Sequence, residues 1–194
     1  MKLKVTLVFL LLASASQAQQ WHFGPKLDLN LTQVDGKGIK SSYTTGVQAG
    51  GFLQRELNTH WGLQTELLYT LSNVTRTSKF TTYYNINGRS NSREKFRLNS
   101  IGIPLLVRYE LSERFTLLAG PQYSYLFATN ENLVRNQEAF TKSEFSANLG
   151  GQFNIGGFSL SVRWNKGLND INDIDDRYSW HSSRILVGFA VRIK

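Results

Sequence analysis

Long runs of two-residue alternation constrain this chain more than any other feature. Successive side chains of an extended strand point to opposite faces, so an alternating run has one apolar face and one polar face. IGIPLLVRY (101–109) sets Ile101, Ile103, Leu105, Val107 and Tyr109 against Gly102, Pro104, Leu106 and Arg108. The run at 185–193 sets Ile185, Val187, Phe189, Val191 and Ile193 against Leu186, Gly188, Ala190 and Arg192. The same parity separates Phe158, Leu160, Val162 and Trp164 from Ser159, Ser161, Arg163 and Asn165. It also separates Trp61, Leu63, Leu67 and Tyr69 from Gly62, Gln64, Glu66 and Leu68, and Leu117, Ala119, Tyr123 and Tyr125 from Thr116, Gly120, Gln122 and Ser124. Apolar residues spaced three and four apart, the mark of an amphipathic helix, are nearly missing. Eight strands are predicted, at 22–31, 43–56, 61–77, 96–110, 115–128, 140–154, 158–167 and 181–194. They outrun the ~5–6 residues usual in globular sheets. Each reaches the ~9–11 residues with which a tilted strand crosses a bilayer.

The connections between these strands alternate in length. Residues 31–42, 78–95, 129–139 and 167–180 form long links, whereas 57–60, 111–114 and 155–157 are short. Outer-membrane barrels have short periplasmic turns and long outward loops, and an even strand count puts both termini on the periplasmic side. A soluble sandwich has no reason to sort its loops this way.

Alternation alone does not separate a membrane barrel from a soluble, lipocalin-like one. The character of the polar set does. A soluble barrel turns that set to water, where Lys and Glu dominate. Here it is Gly, Ser, Gln and Asn with isolated charges, which suits the narrow bore of an eight-stranded barrel that side chains nearly fill. The opposite set carries Trp61, Tyr109, Phe115, Tyr125, Phe158 and Trp164 near strand ends, as the interfacial girdles of such barrels do. The expected fold is therefore all-β, an eight-stranded antiparallel up-and-down transmembrane barrel with apolar side chains against lipid and small polar ones in the lumen.

The start of the chain agrees with export. Lys2 and Lys4 precede the apolar stretch VTLVFLLLA (5–13), and SASQA (14–18) ends in small residues at Ser16 and Ala18. That order reads as a secretory signal peptide over 1–18, cleaved after Ala18, with one barrel domain over 19–194. The apolar stretch is shorter than the about 20 residues of a spanning helix. Cysteine is absent, which excludes a disulfide scaffold and a cysteine zinc site. The 12 Phe, 8 Tyr and 4 Trp supply apolar surface that a disordered chain lacks.

IGIPLLVRYEL (101–111), followed by FTLLAGPQYSYLF (115–127), resembles the core of the PorT-like outer-membrane β-barrel family of Bacteroidetes, in which an "IPLL" strand leads through a short turn to an "aGp" strand. ANLGGQF (147–153), SVRWNKGLNDI (161–171) and ILVGFAVRI (185–193) match its later strands in order, and GPKLDLNL (24–31) its opening strand. The resemblance implies an eight-stranded barrel in the outer membrane of a Gram-negative envelope, usually without an assigned activity. Lys194 stands where many outer-membrane chains end in an aromatic residue.

Three groups of residues are candidates for function. The lumen set holds Lys26, Asp28, Glu66, Arg108, Arg163 and Arg192, with Glu144 near the outer end of its strand. Opposite charges in so narrow a bore are expected to pair, because an isolated buried charge is costly. They then form a plug; the competing reading is a small-solute path. Arg76, Lys79, Arg89, Arg93, Lys95 and Arg97, opposed by Glu94, make the second long link basic. Such an outward loop can bind the phosphates of lipopolysaccharide or an acidic protein, and YYN (83–85) adds aromatic docking surface. Nucleic acid is not an expected partner of an exported chain without a recognisable module. Asp170, Asp173, Asp175 and Asp176 form an acidic cluster, but the glycine and glutamate of an EF-hand loop are missing, so no metal or other cofactor is expected. An enzyme is not expected either. His22 and His60 fall at the periplasmic end, and the outward His181 adjoins Ser182 and Ser183. Neighbours on a strand point to opposite faces, so His181 and Ser182 cannot share a lumen site.

Overall fold

In a computed structural model, residues 21–35, 43–75, 95–129, 141–171 and 179–193 are described. The signal-peptide reading over 1–18 lies outside them. The strands are β1 (Trp21–Asp35), β2 (Thr44–Glu56), β3 (Trp61–Thr75), β4 (Lys95–Glu110), β5 (Phe115–Thr129), β6 (Ser143–Ile155), β7 (Phe158–Gly167) and β8 (His181–Val191). Each pairs antiparallel with its sequence neighbours, and β1 pairs with β8 to close the barrel. Closure gives every strand two partners, so no sheet edge is left for hydrocarbon to desolvate.

All eight predicted strands are present, with shifts at their ends. β1 runs to Asp35 rather than stopping at residue 31, because Thr32–Asp35 pair with Arg184–His181 of β8. β8 ends at Val191; the backbone N–H of Arg192 donates instead to the Gly157 carbonyl at 2.7 Å, and that of Ile193 to the Phe23 carbonyl at 2.9 Å. β6 begins at Ser143 rather than residue 140. The two prolines of the IPLL–AGP segment interrupt the ladder. Pairing skips from Pro104–Gln122 to Val107–Ala119 on one side of β4, and from Thr65–Leu105 to Leu68–Gly102 on the other. Proline has no N–H to give a ladder. Thr65 Oγ1 donates to the Pro104 carbonyl at 3.1 Å and ties β3 to β4 there.

Side-chain parity places lipid outside. Ile101, Leu160 and Val187 are exposed on the barrel exterior, whereas Gln64 and Arg163 are 3% and 1% exposed in its interior. Large apolar side chains therefore coat the outside, and most buried side chains are polar, the reverse of a soluble protein. The bore is not lined by small polar groups alone. Phe52, Leu68, Leu106, Leu118 and Leu186 also point inward and are buried. Aromatic pairs gather at the strand ends, with Trp61 on Tyr109 and Phe115 on Phe153 at the short-turn end and Tyr123 on Phe145 nearer the long loops.

Two backbone features fix the closed form. Gly156 sits in the β6–β7 turn with φ +58°, a left-handed conformation that costs glycine nothing. Near the β1–β8 seam, Gly24 lies so close to its neighbour that a β-carbon would stand 1.7 Å from the Val191 carbonyl oxygen.

Candidate functional site

Four charged side chains meet inside the bore. Parity on β1 turns Lys26 and Asp28 inward, and β3 and β7 add Glu66 and Arg163. Lys26 Nζ lies 3.4 Å from Asp28 Oδ1 and 3.5 Å from Glu66 Oε1. Arg163 Nη2 lies 3.4 Å from Asp28 Oδ2 and 2.9 Å from Glu66 Oε2. Each cation thus touches both carboxylates, and the quartet is neutral as a whole. In the closed order β3 and β7 stand on opposite walls, so Arg163 and Glu66 touch straight across the bore. Lys26 also donates to Ser161 Oγ at 3.3 Å. Gly188 of β8 makes room for the quartet, since a β-carbon there would fall 1.8 Å from Asp28 Oδ1.

Hydrogen bonds extend this cluster in both directions. Toward the short turns, Gln64 Nε2 donates to Glu66 Oε1 at 2.5 Å, and Arg108 Nη1 donates to Gln64 Oε1 at 2.7 Å. Arg108 also reaches Glu110 at 3.7 Å, and His22 Nε2 lies 3.0 Å from Glu56 Oε1 at that mouth. Toward the long loops, Glu144 accepts hydrogen bonds from Ser182 Oγ and Arg184 Nη2. Arg184 Nη1 donates to Asn165 Oδ1 at 3.0 Å, and Asn165 Nδ2 donates to Ser146 Oγ at 2.8 Å and Asn148 Oδ1 at 3.2 Å. Beyond this layer lies a cavity of about 40 Å³, lined by polar Thr32, Ser72 and Ser124 and by apolar Val34, Leu126 and Ile171. Trp180, fully buried, ends this side of the barrel; its backbone N–H donates to Asp170 Oδ1 at 2.8 Å and its carbonyl accepts from Ile171 N at 3.0 Å.

The sequence-predicted lumen residues divide accordingly. Lys26, Asp28, Glu66 and Arg163 form the quartet, and Arg108 joins it through Gln64. Glu144 belongs to the separate outer layer. Arg192 joins neither cluster: it follows the end of β8, and its Nη2 donates to the Gly156 carbonyl at 3.4 Å across the β6–β7 turn. Sequence reasoning missed Arg184, the partner of Glu144. The signal was available, because Arg184 shares the parity of Leu186, Gly188 and Ala190. The basic candidates Arg76, Lys79, Arg89 and Arg93 lie outside the described residues, as do the side chains of Lys95 and Arg97, and so do Asp173, Asp175 and Asp176. Ser182 faces the lumen, while its neighbour Ser183 points outward and accepts a hydrogen bond from the Trp164 indole at 2.9 Å. Among the described residues, no group of three or more His, Asp and Glu side chains is placed to hold a metal ion.

An apolar exterior, a polar interior and complete strand pairing define a transmembrane β-barrel. A family profile described as an outer membrane protein beta-barrel domain matches residues 16–173, and the chain belongs to that family. It is an outer-membrane protein. Its fold is similar to that of Ail, the attachment invasion locus protein of Yersinia pestis, at 12% identity and a TM-score of 0.53, covering 90% of this chain and 100% of that one. It is also similar to the outer membrane protein OprG from Pseudomonas aeruginosa, at 12% identity and a TM-score of 0.51, covering 90% of this chain and 95% of that one. These similarities concern the fold. A sequence comparison with curated proteins gave no match.

Proposed function

We propose that this barrel is a closed-bore scaffold whose work is done by its long-loop end, as a structural or binding protein rather than a conduit or an enzyme. The observation that carries this reading is the contact between Arg163 and Glu66 across the full width of the bore. A charge pair that spans the lumen at 2.9 Å beside buried leucines supports a bore closed to a continuous water column. The order of the IPLL, AGP, LGGQF and ILVGFAVRI segments further supports a PorT-like barrel within the wider outer-membrane class.

The test of the closed bore is electrical. In planar bilayers the refolded protein is expected to show no stable single-channel steps. Shrinking the quartet as Lys26→Ser, Glu66→Ser and Arg163→Ser together should introduce small ones. Large, stable steps from the unaltered protein would instead support small-solute passage.

The binding reading rests on charge. Arg76, Lys79, Arg89, Arg93 and Lys95 with few opposing carboxylates suit the phosphates of lipopolysaccharide or an acidic protein partner. Neutralising Arg76, Lys79, Arg89 and Arg93 together should abolish retention of lipopolysaccharide during purification, or the loss of one crosslinked protein partner from native membranes should follow. If neither changes, the loop has no such role.

A further inference from the structure

The short-turn rim is chemically two-sided. Along β1–β4 it carries groups that anchor at a headgroup layer: Arg55 lies 5.2 Å over the Trp21 ring, and Tyr109 packs against Trp61 and His60. Along β5–β8 the outward rings are phenylalanines alone, Phe115 on Phe153 and Phe158 on Phe189. The exposed Ile155 lies among them. Phenyl rings cannot hydrogen-bond a headgroup, so this half needs its polar anchor from elsewhere.

An open basin of about 510 Å³ supplies it, lined by Glu113, Arg114, Phe153, Asn154, Ile155 and Arg192, with Gly156 at the turn. The β4–β5 turn brings Arg114 in from one side, held by the hydrogen bond from Asn154 N to the Arg114 carbonyl at 2.8 Å. The end of β8 brings Arg192 in from the other, resting on the Gly156 carbonyl at 3.4 Å. The Arg114 side chain is exposed and has no polar partner among the described residues. The basin therefore has two guanidinium groups against one carboxylate. Its outer wall, Phe153 and Ile155, continues directly onto the lipid face.

We propose that this basin holds an anionic phospholipid of the leaflet facing the short turns, with its phosphate between Arg114 and Arg192 and its acyl chain along Phe153 and Ile155. Guanidinium groups suit phosphate because their N–H donors match its oxygens in pairs. The proposal rests on residence in the membrane and not on any role of the long loops or of the bore, so either can fail without the other.

The test uses the full chain in nanodiscs of equal phosphatidylethanolamine and phosphatidylglycerol, released and weighed by native mass spectrometry. Phosphatidylglycerol should be retained in preference. Each of Arg114→Gln and Arg192→Gln should lower that preference about fivefold, the effect of one basic residue near an anionic surface. Arg55→Gln, on the other half of the rim and outside the basin, should lower it by clearly less than either basin substitution. Phe153→Ser should lower retention of both lipids, and soluble glycerol phosphate should not displace the lipid. Heat-modifiable migration on a gel reports that each variant is a closed barrel; if Arg192→Gln is not, Arg192→Lys and Arg114→Gln read the same site. Equal retention of the two lipids, an equal loss with Arg55→Gln, or displacement by glycerol phosphate would overturn the proposal.

Discussion

Replacing Glu66 with glutamine is expected to destabilise the folded barrel by about 3–5 kcal/mol, the cost of leaving a buried charge uncompensated. The substitution preserves shape and leaves Lys26 and Arg163 with Asp28 as their one carboxylate in the quartet. Neither cation can turn to water, since both are almost completely buried. Reversible urea unfolding in lipid vesicles measures the loss. A second substitution separates charge balance from packing. Adding Lys26→Met restores neutrality, with Asp28 and Arg163 left as a pair, so the double variant should be more stable than the sum of the two single losses predicts. Contacting residues in one ionic network couple by about 0.5–3 kcal/mol. A loss below about 1 kcal/mol for Glu66→Gln, or strict additivity in the double variant, would show that the quartet contributes little.

The second large effect is expected at Gly24. A methyl group there would overlap the Val191 carbonyl at 1.7 Å, and the obstacle is backbone, not the tip of a movable side chain. Gly24→Ala must therefore push β1 from the end of β8 or bend β1, at a cost of about 1–3 kcal/mol or more. Gly51 provides the control. It belongs to the adjacent strand and pairs with Pro25, but a β-carbon there points to lipid and comes no closer than 3.4 Å to the Gly24 carbonyl. Gly51→Ala should stay within about 0.5 kcal/mol, aided by the smaller entropy of the unfolded chain. The two variants can be compared by heat-modifiable migration after refolding. Equal behaviour of the pair would mean that the seam at Gly24 is soft.

The strands, their faces and the loop order were legible because one arithmetic, parity, governs them all. A residue such as Leu160 or Arg163 declares its face by its neighbours two positions away, and no tertiary knowledge is needed. What parity does not carry is depth and partner. It groups Arg192 with Arg163, yet one reaches across a turn and the other meets Glu66 across the bore, because β8 stops pairing at Val191. It likewise puts Glu66 and Arg163 inside without saying that they meet. That depends on strand tilt and stagger, which bring opposite walls of the cylinder to one level. Parity put Gln64 on the lumen face but gave it no role, for a related reason: a neutral amide between Arg108 and Glu66 looks like any other polar lumen residue until the distances are known. The meeting of Ile171 and Trp180 at the outer end rests on a backbone hydrogen bond between two non-strand residues, which no periodicity encodes.

The quartet also bears on the order of assembly. Lys26, Asp28 and Glu66 come from the first three strands, and Arg163 comes from the seventh. In a sheet halted before the seventh strand the quartet is reduced to one cation and two carboxylates, with Arg108 reaching it only through Gln64. Entry of such a half-made sheet into hydrocarbon is opposed by that imbalance. On this charge balance the last strands are expected to make the chain compatible with the membrane interior, at the moment its two halves join.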